Sequence, residues 1–141
     1  MTSERGSAPI ELALVVGFLL IPMALLTLSF GPWLERRAMA NAAAAEAARL
    51  LVVAEPVGSG EEAARLAIID MAANAGVPTD DVSFVFCPSA GDSCGEISRG
   101  EMVTVTVDVE VPAISTPFGP IGGLTLRASH SEPVDLYRSL P

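Results

Sequence analysis

With 141 residues, the chain has room for one small domain and an anchor, and little else. Half of the residues are apolar while only 5% are aromatic, and the mean hydropathy is positive, a balance foreign to an ordinary soluble domain and natural for one with a local membrane segment. The net charge of −9 arises almost wholly after Leu50, where Arg65, Arg99, Arg127 and Arg138 stand singly among acids; this excludes the clustered cations that a nucleic-acid surface needs.

The first eleven residues are a short charged leader ending in Gly6, then four residues, then Glu11 at the edge of an apolar run. A charge within a spanning helix costs about 2.5 to 3.5 kcal/mol at the centre and less at the edge, so Glu11 marks a functional position in need of a partner. Pro9 is tolerated in a first helical turn but disfavours helix in the residue before it. Arg5 to Ala8 therefore read as extended, which leaves the Gly6-Ser7 bond accessible to a peptidase.

From Leu12 to Leu34 run 23 consecutive uncharged residues, roughly 34 Å as a helix at 1.5 Å per residue, enough for one membrane span with modest tilt. Trp33 falls where an amphipathic ring favours the interface, and Arg36 and Arg37 are placed to anchor among headgroups. Pro22 and Pro32 each remove an amide donor and crowd the carbonyl four residues back. They predict a kink over Gly17 to Pro22 and a break at Gly31-Pro32. The rival reading is a cleaved secretory signal, for which Ala38-Met39-Ala40 supplies an A-x-A pattern. Against it, the apolar run is longer than a normal signal core, and Glu35, Arg36 and Arg37 intervene before the cut.

Glu35 to Val53 continues the helix, because alanine fills most of Ala38 to Leu51 and has the highest helix propensity, until Glu55-Pro56 ends it. Such a rod suits close lateral packing against other rods, or is simply a solvated helix.

Arg5-Gly6-Ser7-Ala8 followed by Glu11-Leu12-Ala13-Leu14 resembles the processing site of type IV-like prepilins and the start of TadE-like proteins. Phe30-Gly31 and the stretch Asn41-Ala42-Ala43-Ala44-Ala45-Glu46-Ala47-Ala48-Arg49 resemble the helix that follows the anchor in that family, so the likeness spans roughly residues 5 to 53. The resemblance implies cleavage after Gly6 by a prepilin peptidase, a free amine on Ser7, and a Glu11 carboxylate that supports subunit packing. It implies a minor pilin or pseudopilin of the bacterial cytoplasmic membrane, aiding assembly of a Tad/Flp-type pilus or related secretion apparatus, either within the fibre or beside it. Its partners would be the peptidase, other pilin subunits, the assembly platform and the lipid bilayer. The corresponding division is a leader over 1–6, an anchor over 7–34 and an extracytoplasmic pilin-like domain over 35–141. Arginine counts alone, Arg5 before the span and Arg36 and Arg37 after it, lean toward a cytoplasmic C-terminus. The leader, the acidic domain and the cysteine pair together put the N-terminus inside and the domain outside.

Ser59-Gly60-Glu61-Glu62 forms a capping-box pattern opening a second helix that Gly76 and Pro78 close, with Leu66, Ile69 and Ala73 as its core stripe. Met102 to Val111 alternates strictly, with valines on one face and Thr104, Thr106, Asp108 and Glu110 on the other, as in an antiparallel strand wet on one side. Val82 to Cys87 and Leu124 to Ser131 are its expected partners. The fold class is thus α+β: a long N-terminal transmembrane helix continuing into a soluble helix, then a second helix packed on a small antiparallel sheet of about three strands. Pro112 to Gly123 reads as a loop whose Ile114, Phe118 and Ile121 are either buried against the first helix or form an exposed contact patch.

Cys87 and Cys94 lack a C-x-x-C spacing and are too few for a structural zinc site, so a local disulfide in an oxidising compartment is favoured over two free thiols. His130 shares parity with Leu124, Leu126 and Ala128 at a sheet face, and Asp80-Asp81 and Glu61-Glu62 suit turn and helix-start roles. No nucleophile motif or phosphate loop accompanies them, so an enzyme is not expected, nor a cofactor or metal. The competing class is a small secreted or membrane-tethered binding domain whose anchor is a plain signal sequence; its mature N-terminus would be Asn41 or the uncut start.

Overall fold

A computed structural model describes residues 8–54, 57–87, 94, 97–116 and 118–136. In chain order it has α1 (Ala8–Val53), α2 (Val57–Asn74), a 3-10 turn (Thr79–Asp81), β1 (Val82–Phe86), β2 (Met102–Thr116) and β3 (Gly119–Pro133). The three strands form one antiparallel sheet in the order β1-β2-β3, the α+β layout expected from the sequence.

Helix α1 runs through both Pro22 and Pro32, so the expected break at Gly31-Pro32 does not occur. The reason is tertiary. Around Pro32, side chains of Ser29, Trp33 and Arg36 are bonded to the backbone of β2, and those contacts offset the roughly 3 kcal/mol that an internal proline costs a helix.

The C-terminal part of α1 supplies the core. Met39 and Ala40, Ala43 and Ala44, Ala47 and Ala48, then Leu51 are buried, a two-residue-wide stripe repeating every four positions, as helical geometry requires. It packs on β2 and β3 on one side and along α2 on the other. The sheet answers with Val103, Val105, Val107, Val109 and Val111, all buried, in the alternation read from the sequence. The opposite face of the sheet is a ladder of polar cross-strand pairs, with Thr104 against Ser131 at 2.8 Å, Thr106 against Ser129 at 3.3 Å, and Arg127 donating to both carboxylate oxygens of Asp108. Opposed pairs of this kind favour this register over a slipped one.

Helix α2 departs from expectation. Its buried residues are Gly60, Ala64, Ile68 and Ala72, whereas Leu66 and Ala73 are exposed and Ile69 is half-buried. The buried stripe of α1 is mostly alanine, with Leu50 and Leu51 beside Gly60, and small side chains let two helix backbones approach closely. A Cβ on Gly60 would lie 2.8 Å from that of Ala54, which shows how tight the crossing is. The helix begins two residues before the expected capping box and ends as expected. Gly76, at φ +65°, lets Val77 N–H reach the Ala72 carbonyl and Gly76 N–H that of Ala73, closing the last turn.

The expected loop over Pro112 to Gly123 is instead the far end of a hairpin. Pairing of β2 with β3 continues through Pro112 with Gly123 and Ile114 with Ile121 to Thr116 with Gly119. Beyond Val109, β1 no longer pairs with β2, so Pro112 occupies a stretch open on one side, where a missing N–H is tolerated. Gly119 sits at φ +127°, a conformation glycine alone adopts readily, next to the turn. Of the two readings of Ile114, Phe118 and Ile121, exposure is the one realised.

Candidate functional site

Two parts of α1 bear on function, a bare apolar shaft and a collar where the domain grips it. Ile10, Leu12, Leu14, Phe18, Leu19, Ile21, Met23 and Leu26 are all exposed, so from Ala8 to about Leu28 the helix projects beyond its own domain. It is long and apolar enough to cross a membrane. Glu11 lies in its first turn and is exposed, placed favourably at the positive end of the helix dipole. Gly6 and Ser7 lie outside the described residues. One side of the shaft is a shallow groove lined by Ile10, Ala13, Leu14, Gly17, Phe18 and Ile21 among others. A Cβ at Gly17 would meet nothing within 4 Å, so among the described residues nothing packs against that glycine closely enough to require its small size.

The collar consists of three residues on successive turns. Arg36 Nη1 donates to the Glu110 carbonyl and lies 3.4 Å from Asp81 Oδ2. Trp33 Nε1 donates to the Pro112 carbonyl at 2.6 Å, its ring tilted against Phe30. Ser29, fully buried, donates through Oγ to the Leu25 carbonyl and accepts from Ser115 N–H at 3.0 Å. Trp33 and Arg36 thus hold the domain on the rod, and Arg37 remains exposed. Sequence reasoning passed over Ser29; its only signal was a hydroxyl within an apolar run.

Cys87 and Cys94 are disulfide-bonded, with Cα atoms 5.2 Å apart. Cys87 N–H donates to the Thr104 carbonyl and Cys94 N–H to Glu61 Oε1, so the bridge ties the end of β1 to the start of α2. Asp81 and Glu61 therefore have structural partners, and His130 bonds Glu132 at 3.1 Å. Among the described residues, no group of three or more His, Cys, Asp and Glu is placed to hold a metal ion.

Compared with known proteins, the chain matches no family model, no curated protein and no solved structure.

The electrostatics of the domain are local. The hydrogen bonds from Arg127, reinforced by its charge, hold the Asp108 carboxyl below its ordinary range against the opposing effect of partial burial. A depressed carboxylate contributes stability that is complete above its unfolded-state value and is lost as pH falls through the lowered folded value. Asp108→Asn should lower the thermal midpoint in detergent at neutral pH. Its midpoint should converge with that of the wild type once the pH drops well below the usual aspartate range. A constant gap between the two across the titration would refute this linkage.

Proposed function

We propose that this chain is a membrane-anchored, pilin-like subunit of the TadE kind, acting through assembly and contact, with no catalytic role. The observation that carries the reading is the division of labour along α1, bare and apolar in its first part and built into an α+β domain in its second. A subunit that stands in a bilayer and packs side by side with others needs such a rod, and the groove beside Gly17 offers a place for close helix approach. In this reading the leader 1–6 is removed inside the cell, the domain lies outside, and Glu11 meets the Ser7 ammonium of a neighbouring subunit. The disulfide supports an oxidising location for the domain.

The rival signal-sequence reading is disfavoured by the collar. A cut after Ala40 would take away Ser29, Trp33, Arg36 and Met39, and with them every bond between the rod and the far hairpin described above.

The test is the mature N-terminus. Intact-mass measurement on membrane-extracted protein should give a chain starting at Ser7, and Gly6→Leu should abolish processing and retain residues 1–6. A wild-type chain that retains residues 1–6, differing from Gly6→Leu only by the mass of the substituted side chain, would defeat prepilin-type processing, and a start at Asn41 would establish the signal-sequence reading in its place.

A further inference from the structure

The far end of the β2–β3 hairpin has a polarity unlike the rest of the sheet. Nearer β1, the outward face is polar, with the pairs Thr104–Ser131, Thr106–Ser129 and Asp108–Arg127. Toward the turn, the same face carries the cross-strand pair Ile114–Ile121, and both residues are exposed. Phe118, in the turn, is 100% exposed, and no charged residue occurs between Glu110 and Arg127. Leu124, on the other face, is exposed as well.

This change coincides with a position along the rod. The bonds Arg36 to Glu110, Trp33 to Pro112 and Ser115 to Ser29 show the hairpin descending along α1 toward the apolar shaft. Ser29 lies seven residues below Arg36, roughly 10 Å along a helix axis, and Phe118 follows Ser115 toward the turn. At this level the helix itself exposes Leu26 and Phe30. An apolar hairpin tip thus continues an apolar helix surface.

Resting on the membrane-anchor reading, we infer that the hairpin tip is a second membrane contact, in which Phe118, with Ile114 and Ile121, enters the headgroup and acyl boundary of the leaflet that faces the domain. Its depth is bounded by the backbone. The outer edge of β3 has unpaired N–H and C=O groups that hydrocarbon cannot satisfy, so the tip rests in the interface and does not penetrate further. The hydrocarbon boundary then falls near Ser29 and not at Leu34. Leu12 to Leu28 rises about 26 Å, still within the range of a span. The domain would accordingly stand at a fixed height and tilt, held by the helix and by a wedge beside it.

Site-specific labelling tests this on the full chain, because the two native cysteines are bonded to each other and a third can be labelled alone without reduction. Phe118→Cys, Leu20→Cys and Glu62→Cys, each carrying an environment-sensitive NBD group, are reconstituted into phosphatidylethanolamine/phosphatidylglycerol vesicles. The vesicles contain lipids with a nitroxide either near the headgroup or near the acyl end. The label at 118 should be blue-shifted and quenched more by the shallow nitroxide, that at 20 more by the deep one, and that at 62 by neither. If 20 is quenched and 118 behaves like 62, the wedge is wrong and the anchor stands. If 20 is unquenched as well, the anchor reading fails and takes the wedge with it. A blue shift at 118 that resists quenching and disappears on diluting the protein in lipid assigns the tip to a second copy of the chain and overturns the inference.

Discussion

As a consequence of the proposed pilin-like assembly, Glu11→Ala should leave the protein in the membrane at normal abundance and weaken its association with neighbouring subunits by roughly 3 to 5 kcal/mol where the pair is buried, a loss of a hundredfold or more. In the isolated subunit Glu11 is exposed in the first turn of α1, near enough to the shaft's end to reach headgroup water. Removing it costs the helix no more than the modest favourable dipole contribution of about 0.3 to 1 kcal/mol. In an assembly, packing against the shaft displaces that water, and the attraction between Glu11 and a neighbour's Ser7 ammonium grows as the local dielectric falls. The alanine variant then strands the ammonium. Crosslinking or co-purification with other pilus components, scored beside membrane abundance, reads the effect directly. A Glu11→Gln control distinguishes charge from side-chain volume, since the amide keeps the shape and loses the ion pair. Wild-type association and normal piliation in Glu11→Ala would reduce this carboxylate to an incidental charge at the membrane edge.

The second large effect concerns the disulfide. Cys87 and Cys94 are separated by seven positions, and closing so small a loop in the unfolded chain is worth about 2 to 3 kcal/mol by loop entropy. For a domain of this size that corresponds to a thermal midpoint lowered by on the order of 10 °C. The bridge also fixes the region where β1 ends and Cys94 N–H meets Glu61, so its loss should loosen the start of α2 before the valine core. Cys87→Ser/Cys94→Ser and reduced wild type should therefore melt together, both below oxidised wild type. Alkylation of unreduced protein taken directly from cells should find no free thiol. Two reactive thiols there would remove the staple in vivo, and with it the chief support for a domain outside the cytoplasm.

How much of this was legible in the sequence differs by element. The rod was, because Leu12 to Leu34 is apolar without interruption and Ala38 to Leu51 favours helix residue by residue; both are properties of a local stretch and need no partner to be read. So was the core face of β2, where strict alternation from Met102 to Val111 fixes which side chains share a face. The cysteine pairing was legible too, since two cysteines this close, without C-x-x-C spacing or further metal ligands, favour a local bridge.

Three features required the tertiary structure. The prolines and glycines of 112 to 123 signal a loop by local propensity, yet pairing across the hairpin and bonds to Ser29 and Trp33 keep the chain extended. Helix α2 turns Ala64, Ile68 and Ala72 inward and leaves Leu66 outside, because the alanine surface of α1 rewards close approach more than side-chain size. Trp33 and Arg36, suited by type to lipid headgroups, also give donors to the carbonyls of Pro112 and Glu110, a role nothing in their local sequence signals. Sequence alone determined a membrane-length rod, an alternating strand and a cysteine staple, since each follows from the intrinsic character of a contiguous or closely spaced set of residues. Where the hairpin lies along the rod, and which faces meet, was decided only in three dimensions, because those outcomes depend on the shape of a partner surface distant in the chain.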